Sequence, residues 1–344
     1  MFLLFGMGPT RRKLLFQYPD TLRDALTGEA VCHWRTRATR LDAAACTVTM
    51  ETPNGDVRLS EDTHGVWLEA SGDRRALTTG APVALPTFAE SPHAAVLRIL
   101  HAEVLVNLMP FGPVPNLWAY PRPWYRDAAM VLMCLRHTGN LHLVEPWVHG
   151  LRSPYDFNNG GIPEADNLGQ VLYMLALVDA RHHPLVEKIF QEIPRFLDGK
   201  HLRGLSDYAE HPVYQTKWLK YGLQHLGLDD PYRIPAEYDS YSALFWMDYR
   251  DQHVPGPGFS ARDIALYPYL GWAEAHFHRT PPPLPITAAP LPLTWETQAS
   301  DAEYWRLDQL FPATERHRSC RPHTWHAAEM LLYLRDADAF VAPP

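Results

Sequence analysis

The chain has 344 residues, 46% of them hydrophobic and 20% charged, which excludes a disordered tail or a fibre and is enough to hide roughly 75% of the surface an unfolded chain exposes. The net charge is −8 with no basic block of five or six residues, which argues against a nucleic-acid footprint or an anionic-membrane patch. No apolar run reaches the ~18 residues needed to span a bilayer, and the apolar opening Met1–Phe5 has neither a basic flank nor a cleavage site, so no signal peptide is expected.

The first region reads as β. From Ala44 to Glu51 the residues alternate, with Cys46, Val48 and Met50 on one side and Thr47, Thr49 and Glu51 on the other. Asn54-Gly55 between this segment and Val57-Arg58-Leu59 is a hairpin signal. Lys13–Tyr18 and Gly65–Ala70 are further strands. The stretch Gly80–Pro86 has turn residues and no period. Residues 1–88 are therefore expected to form a small antiparallel β domain.

From about Ser91 the period becomes helical. Leu97, Leu100, Val104 and Leu108 share one face. Similar stretches recur near 124–138, 141–151, 166–181, 184–198, 211–227, 239–250, 261–278, 299–310 and 323–335, separated by Pro/Gly-rich breaks. Strands followed by about ten helices, with no strand signal among the helices, predict segregated domains and a mostly α fold. The expectation for 89–344 is an α/α toroid, the catalytic domain.

Three segments could carry chemistry. In Trp124-Tyr125-Arg126-Asp127, a guanidinium fork, a carboxylate and a flat indole could bind a polyol. A plain helix N-terminus explains the same residues. In Pro163-Glu164-Ala165-Asp166-Asn167-Leu168-Gly169-Gln170, four polar groups crowd a loop-to-helix junction, with Pro163 suited to the first helical position. A helix N-terminus favours an ionised carboxylate, so Glu164 could serve as an acid only if burial or Asp166 raises its pKa. Acidic capping is the alternative. The third segment runs from Glu315 through Arg316, Arg318, Arg321, His323, Thr324 and Trp325 to Glu329 on a final helix. There Glu329 pairing with Arg335 or Arg321, and an exposed Glu315, is the plain reading.

Together these segments resemble the six-hairpin glycosidases, specifically glucoamylase-like glycoside hydrolases. The resemblance covers about a quarter of the chain and rests on Trp124-Tyr125-Arg126-Asp127-Ala128, Pro163–Asn167 and Thr324-Trp325. It implies an (α/α)6 barrel, shortened here, and an inverting hydrolase that removes a terminal sugar. It implies Glu164 as general acid and Glu315 as base. Trp124, Arg126, Asp127, Asp166, Asn167, Gln170, His323 and Trp325 would then line the sugar. Asp239 and Glu329 are the spare candidates for the base. Arginines surround Glu315 and favour an ionised carboxylate, whereas leucines flank Glu329.

No metal or cofactor is expected. His182-His183 and His276/His278 have no carboxylate at ligand spacing. Cys32, Cys46, Cys134 and Cys320 lie far apart without a CxxC pair, which points to reduced thiols and a cytoplasmic protein. The expected partner is a small carbohydrate, not nucleic acid or membrane. Two other classes stay open: a sugar epimerase using His101, His211, His323 or His326, and a non-catalytic carbohydrate-binding protein.

Overall fold

A computed structural model describes residues 2–118, 120–237, 260–261 and 324–340. They divide into two compact units. One comprises the described residues up to Arg122, His137–Leu143 and 324–340; the other comprises Pro123–Arg136 and the described residues from Val144 to 261.

The first unit contains two antiparallel sheets in which every strand pairs with its sequence neighbour. One has strands β1 (Phe2–Phe5), β2 (Leu14–Gln17), β3 (Thr21–Asp24) and β4 (Ala30–His33); the other has β5 (Ala38–Asp42), β6 (Thr47–Thr52), β7 (Gly55–Glu61), β8 (Gly65–Ala70) and β9 (Asp73–Thr79). Leu14, Phe16 and Leu22 of the first sheet share one core with Val48, Met50, Leu59 and Val66 of the second. Leu15 points the other way and packs with Val114, Leu117 and Trp118. Alternation sorts these residues, because successive strand side chains face opposite sides. A buried ionic cluster closes one end. Glu61 accepts from the Gly6 and Met7 amides at 2.8 and 2.7 Å and from Arg11 at 2.8 Å. Lys13 donates to the carbonyls of Gly6 and Gly8 at 2.6 and 2.7 Å.

The turn before β7 differs from the expected Asn-Gly centre. Thr52 pairs with Gly55, leaving Pro53-Asn54 as the loop. Pro53 locks a negative φ, which a primed turn cannot accept at its first central residue. Gly55 instead takes φ 106° just after the turn.

Among the described residues the α-helices are α1 (Ala94–Val106), α2 (Tyr125–His137), α3 (Glu145–His149), α4 (Asp166–Leu177), α5 (Pro184–Glu192), α6 (Pro212–Leu226) and α7 (Thr324–Phe340). In the first unit α1 packs on α7; in the second α4 packs on α6. None is long and apolar enough to cross a membrane, among the described residues.

The mostly α toroid is not what the structure has. Among the described residues there are seven helices, with 34% of residues helical and 25% in strands. Short strand pairs also interrupt the helices: β10 (Leu108–Met109) with β11 (Gly112–Pro113), β12 (Leu197–Asp198) with β13 (His201–Leu202), and β14 (Leu205–Ser206) with β15 (Ala209–Glu210). Two-residue strands are too short to show a period. Leu108, expected on the α1 face, lies in β10, because Pro110, Gly112 and Pro113 cannot prolong the helix. The stretches 239–250 and 299–310 lie outside the described residues, as does nearly all of 261–278.

Candidate functional site

A continuous buried polar network runs through the second unit. It starts at α2, whose first amide, from Tyr125, donates to Asp156 Oδ2 at 2.6 Å. The loop 153–161 that carries Asp156 is tied to the same helix end. The Tyr125 hydroxyl donates to the Ser153 carbonyl at 3.1 Å, and Asn158 Nδ2 donates to the Pro123 carbonyl at 2.8 Å. This loop supplies the acceptor that the helix lacks at its start.

One residue inside α2, Arg126 is 2% exposed. Its Nε donates to Asp166 Oδ2 at 3.1 Å and its Nη2 to Glu164 Oε1 at 3.3 Å. Asp166 is held on both oxygens: Gln170 Nε2 donates to Oδ2 at 2.8 Å and Ser206 Oγ to Oδ1 at 2.5 Å. Asn167 donates to Gln170 Oε1 at 3.0 Å and accepts the Asp156 amide at 3.2 Å. Ser206 in turn accepts from Gln215 Nε2 of α6 at 3.0 Å. Buried charges persist only when paired and hydrogen-bonded in this way.

Glu164 differs from Asp166. Its Oε1 accepts from Arg126, from Asn159 Nδ2 at 3.0 Å and from the Asp207 amide, while Oε2 accepts from none of the described residues. Burial pushes its carboxyl above the usual range. Arg126 opposes that, Asp166 adds to it, and the Asn159 and Asp207 donors oppose it. Contrary to the expectation, Pro163 and Glu164 precede the helix: α4 starts at Asp166 with Ala165 as its cap. The Ala165 amide donates at 3.1 Å to the Leu205 carbonyl of β14, so the chain joins a strand before it coils. Glu164 is thus not a capping residue.

The structure therefore brings together Arg126, Glu164, Asp166, Asn167 and Gln170. Asp127 is buried at the next position of α2 and Trp124 is half-buried just before it. Trp325 is half-buried on α7, in the other unit, where Thr324 is anchored to the carbonyls of Val114 and Pro115. Glu329 is half-buried on the same helix. Glu315, His323 and Asp239 lie outside the described residues. Sequence reasoning missed Asp156, Asn159, Ser206, Asp207 and Gln215. The Asn159-Gly160-Gly161 break was visible as a loop, but nothing local marked Ser206-Asp207 as a neighbour of Glu164.

Two histidines have structural places. His183 caps α5 by accepting the Leu185 amide at 3.2 Å. His101 is buried in the first unit, bonded to Asn140 at 3.2 Å and set edge-on to Phe88. Burial lowers its pKa to about 4. No group of three or more His, Cys, Asp or Glu among the described residues could hold a metal ion. Cys32 and Cys46 are free thiols. No family model, curated protein or solved structure matches the chain.

Proposed function

We propose that the protein is an inverting glycoside hydrolase that removes a terminal sugar from an oligosaccharide or glycoside. The observation that carries this reading is the Glu164 carboxyl. It is 2% exposed, held by three donors on one oxygen, and kept above the usual carboxylate range by burial. A general acid needs both a fixed orientation and a raised pKa so that it holds its proton at working pH. The donors on Oε1 orient the group, and Oε2 carries the proton to the glycosidic oxygen.

Arg126 is a positioning residue in this reading. It joins Glu164 to Asp166, and Asn167, Gln170, Ser206 and Gln215 hold Asp166 in turn. Trp124 and Asp127 line the terminal sugar. The resemblance to glucoamylase-like enzymes assigns the base that activates water to Glu315, which lies outside the described residues. Inverting pairs stand roughly 6.5–9.5 Å apart to leave room for that water.

Chromogenic glycosides and unlabelled disaccharides, with product anomers followed by NMR, test the activity. Inverted product from the wild type, and loss of most turnover in Glu164→Gln, are expected. Azide should restore turnover to Glu315→Ala as an inverted glycosyl azide. Solvent deuterium entering a free monosaccharide, with no hydrolysis and no response to Glu164→Gln, would instead mark an epimerase.

A further inference from the structure

Two exposed aromatic side chains stand on the two loops that grip Glu164. Phe157 is 47% exposed and Tyr208 is 65% exposed. Both have left-handed backbone, with φ 58° and 66°. Bulky residues rarely adopt that conformation, and where they do, the surrounding structure enforces it, often at a binding site. Phe157 lies two residues before Asn159, and Tyr208 directly follows Asp207, and both of these partners donate to Glu164 Oε1. Asn159 Nδ2 also reaches Asp207 Oδ1 at 3.3 Å, so the two loops are tied to each other. A Cβ on Gly160 would lie 3.9 Å from the Tyr208 hydroxyl, which sets that ring over the glycine turn.

We propose that Tyr208 and Phe157 form the binding site for the leaving-group sugar, a neutral pyranose ring. This rests on the hydrolase reading above. Glu164 joins two environments. Arg126 and Asp166 are buried. The loops that supply Asn159 and Asp207 carry the exposed Phe157 and Tyr208. A glycoside lying across the acid places its terminal ring inward and its leaving ring outward, against Tyr208. The C–H face of a pyranose stacks on such a ring. The Asp207 carboxylate, next to Tyr208 in the chain, and the Asn158 amide, next to Phe157, bond hydroxyl groups. A carboxylate at this rim also disfavours an anionic ring.

The test compares substrates with and without a leaving ring. Maltose, cellobiose, lactose and xylobiose supply one; α- and β-glucosyl, galactosyl and xylosyl fluorides do not. Tyr208→Ala should raise KM for the disaccharide that is cleaved about tenfold more than KM for the matching fluoride, with Tyr208→Trp restoring the difference. Phe190→Ala, an exposed aromatic on α5, is the control and should change neither. Equal effects on both substrate types, or none on either, overturn the proposal. If no probe is hydrolysed, the hydrolase reading has failed, and saturation-transfer NMR with the same disaccharides decides the aromatic site alone. Contacts to the reducing-end ring that vanish in Tyr208→Ala support it; no contact with any of the four overturns it.

Discussion

A Cβ placed on Gly222 of α6 would lie 2.5 Å from the Gly169 carbonyl oxygen of α4. The converse also holds: a Cβ on Gly169 would run into the backbone of Trp218 and Leu219. The two helices therefore touch backbone to backbone at this crossing. The residues beside it are those of the polar network. Asp166, Gly169, Gln170 and Tyr173 follow one face of α4, and Gln215, Leu219 and Gly222 one face of α6. The glycines bring Asp166 close enough to share Ser206 with Gln215.

Gly169→Ala or Gly222→Ala should thus force the helices apart, a cost of about 1–3 kcal/mol or more for overpacking. Urea denaturation measures the loss. Turnover should fall with it, because Asp166 loses its link through Ser206 to Gln215 of α6. Wild-type stability in both variants would show that the crossing yields more easily than the contacts imply.

Arg126→Met strands Glu164 and Asp166 in a buried site. Removing one partner of a buried ion pair costs about 3–5 kcal/mol. Arg126→Lys should fall between, because one ammonium cannot reproduce the two-armed fork. A chemical-denaturation midpoint unchanged in Arg126→Met would mean that solvent reaches these carboxylates.

Glu164→Gln should change how stability depends on pH. Burial raises the carboxyl pKa in the folded state above the ordinary 4.5. The folded protein then binds that proton more tightly than the unfolded chain does. Its contribution is complete below about 4.5 and is lost as pH rises through the raised value. The glutamine variant never ionises, so its Tm relative to wild type should climb as pH rises above 4.5. A Tm difference that stays flat or shrinks would mean that the carboxyl is not raised.

Lys13 has the opposite dependence. Burial pushes its pKa down to about 7, with Arg11 adding to that and Glu61 opposing it. Between about 7 and the ordinary 10.5 the unfolded chain holds a proton that the folded protein lacks. Stability should therefore rise with pH across that window. Lys13→Met should flatten the rise and leave the Gly6 and Gly8 carbonyls without their donor, costing about 1–3 kcal/mol. Tm against pH for both proteins is the measurement.

Tyr208→Asn separates binding from stability. Asparagine tolerates the left-handed backbone better than tyrosine does. The hairpin should be as stable or gain on the order of 1 kcal/mol, while sugar binding weakens. A Tm several degrees lower would mean that the ring holds the hairpin together.

Much of the chain's local order is written in its sequence. Alternation at Val48 and Met50 marks β6, and Gly65–Ala70 is a strand as the pattern predicts. The helical periods from 124 and 166 correspond to α2 and α4. These features follow from side-chain periodicity, which is a property of neighbours along the chain. The pattern also crowded Arg126, Glu164, Asp166 and Gln170 into two conspicuous segments.

Tertiary structure decided what those segments meet. Glu164 takes a hydrogen bond from the Asp207 amide, 43 residues away, and Asp166 from Ser206, 40 residues away. That hairpin has two-residue strands and leaves no periodic trace, so neither contact could be read in advance. The protonation of Glu164 was open for the same reason. A helix start argued for an ionised group, but its carboxyl precedes α4 and is buried against Arg126 and Asp166. The toroid expectation failed likewise: period separates helix from strand, but it does not say which helices pair. That choice lies in close contacts such as Gly169 against Gly222, which only the folded chain creates.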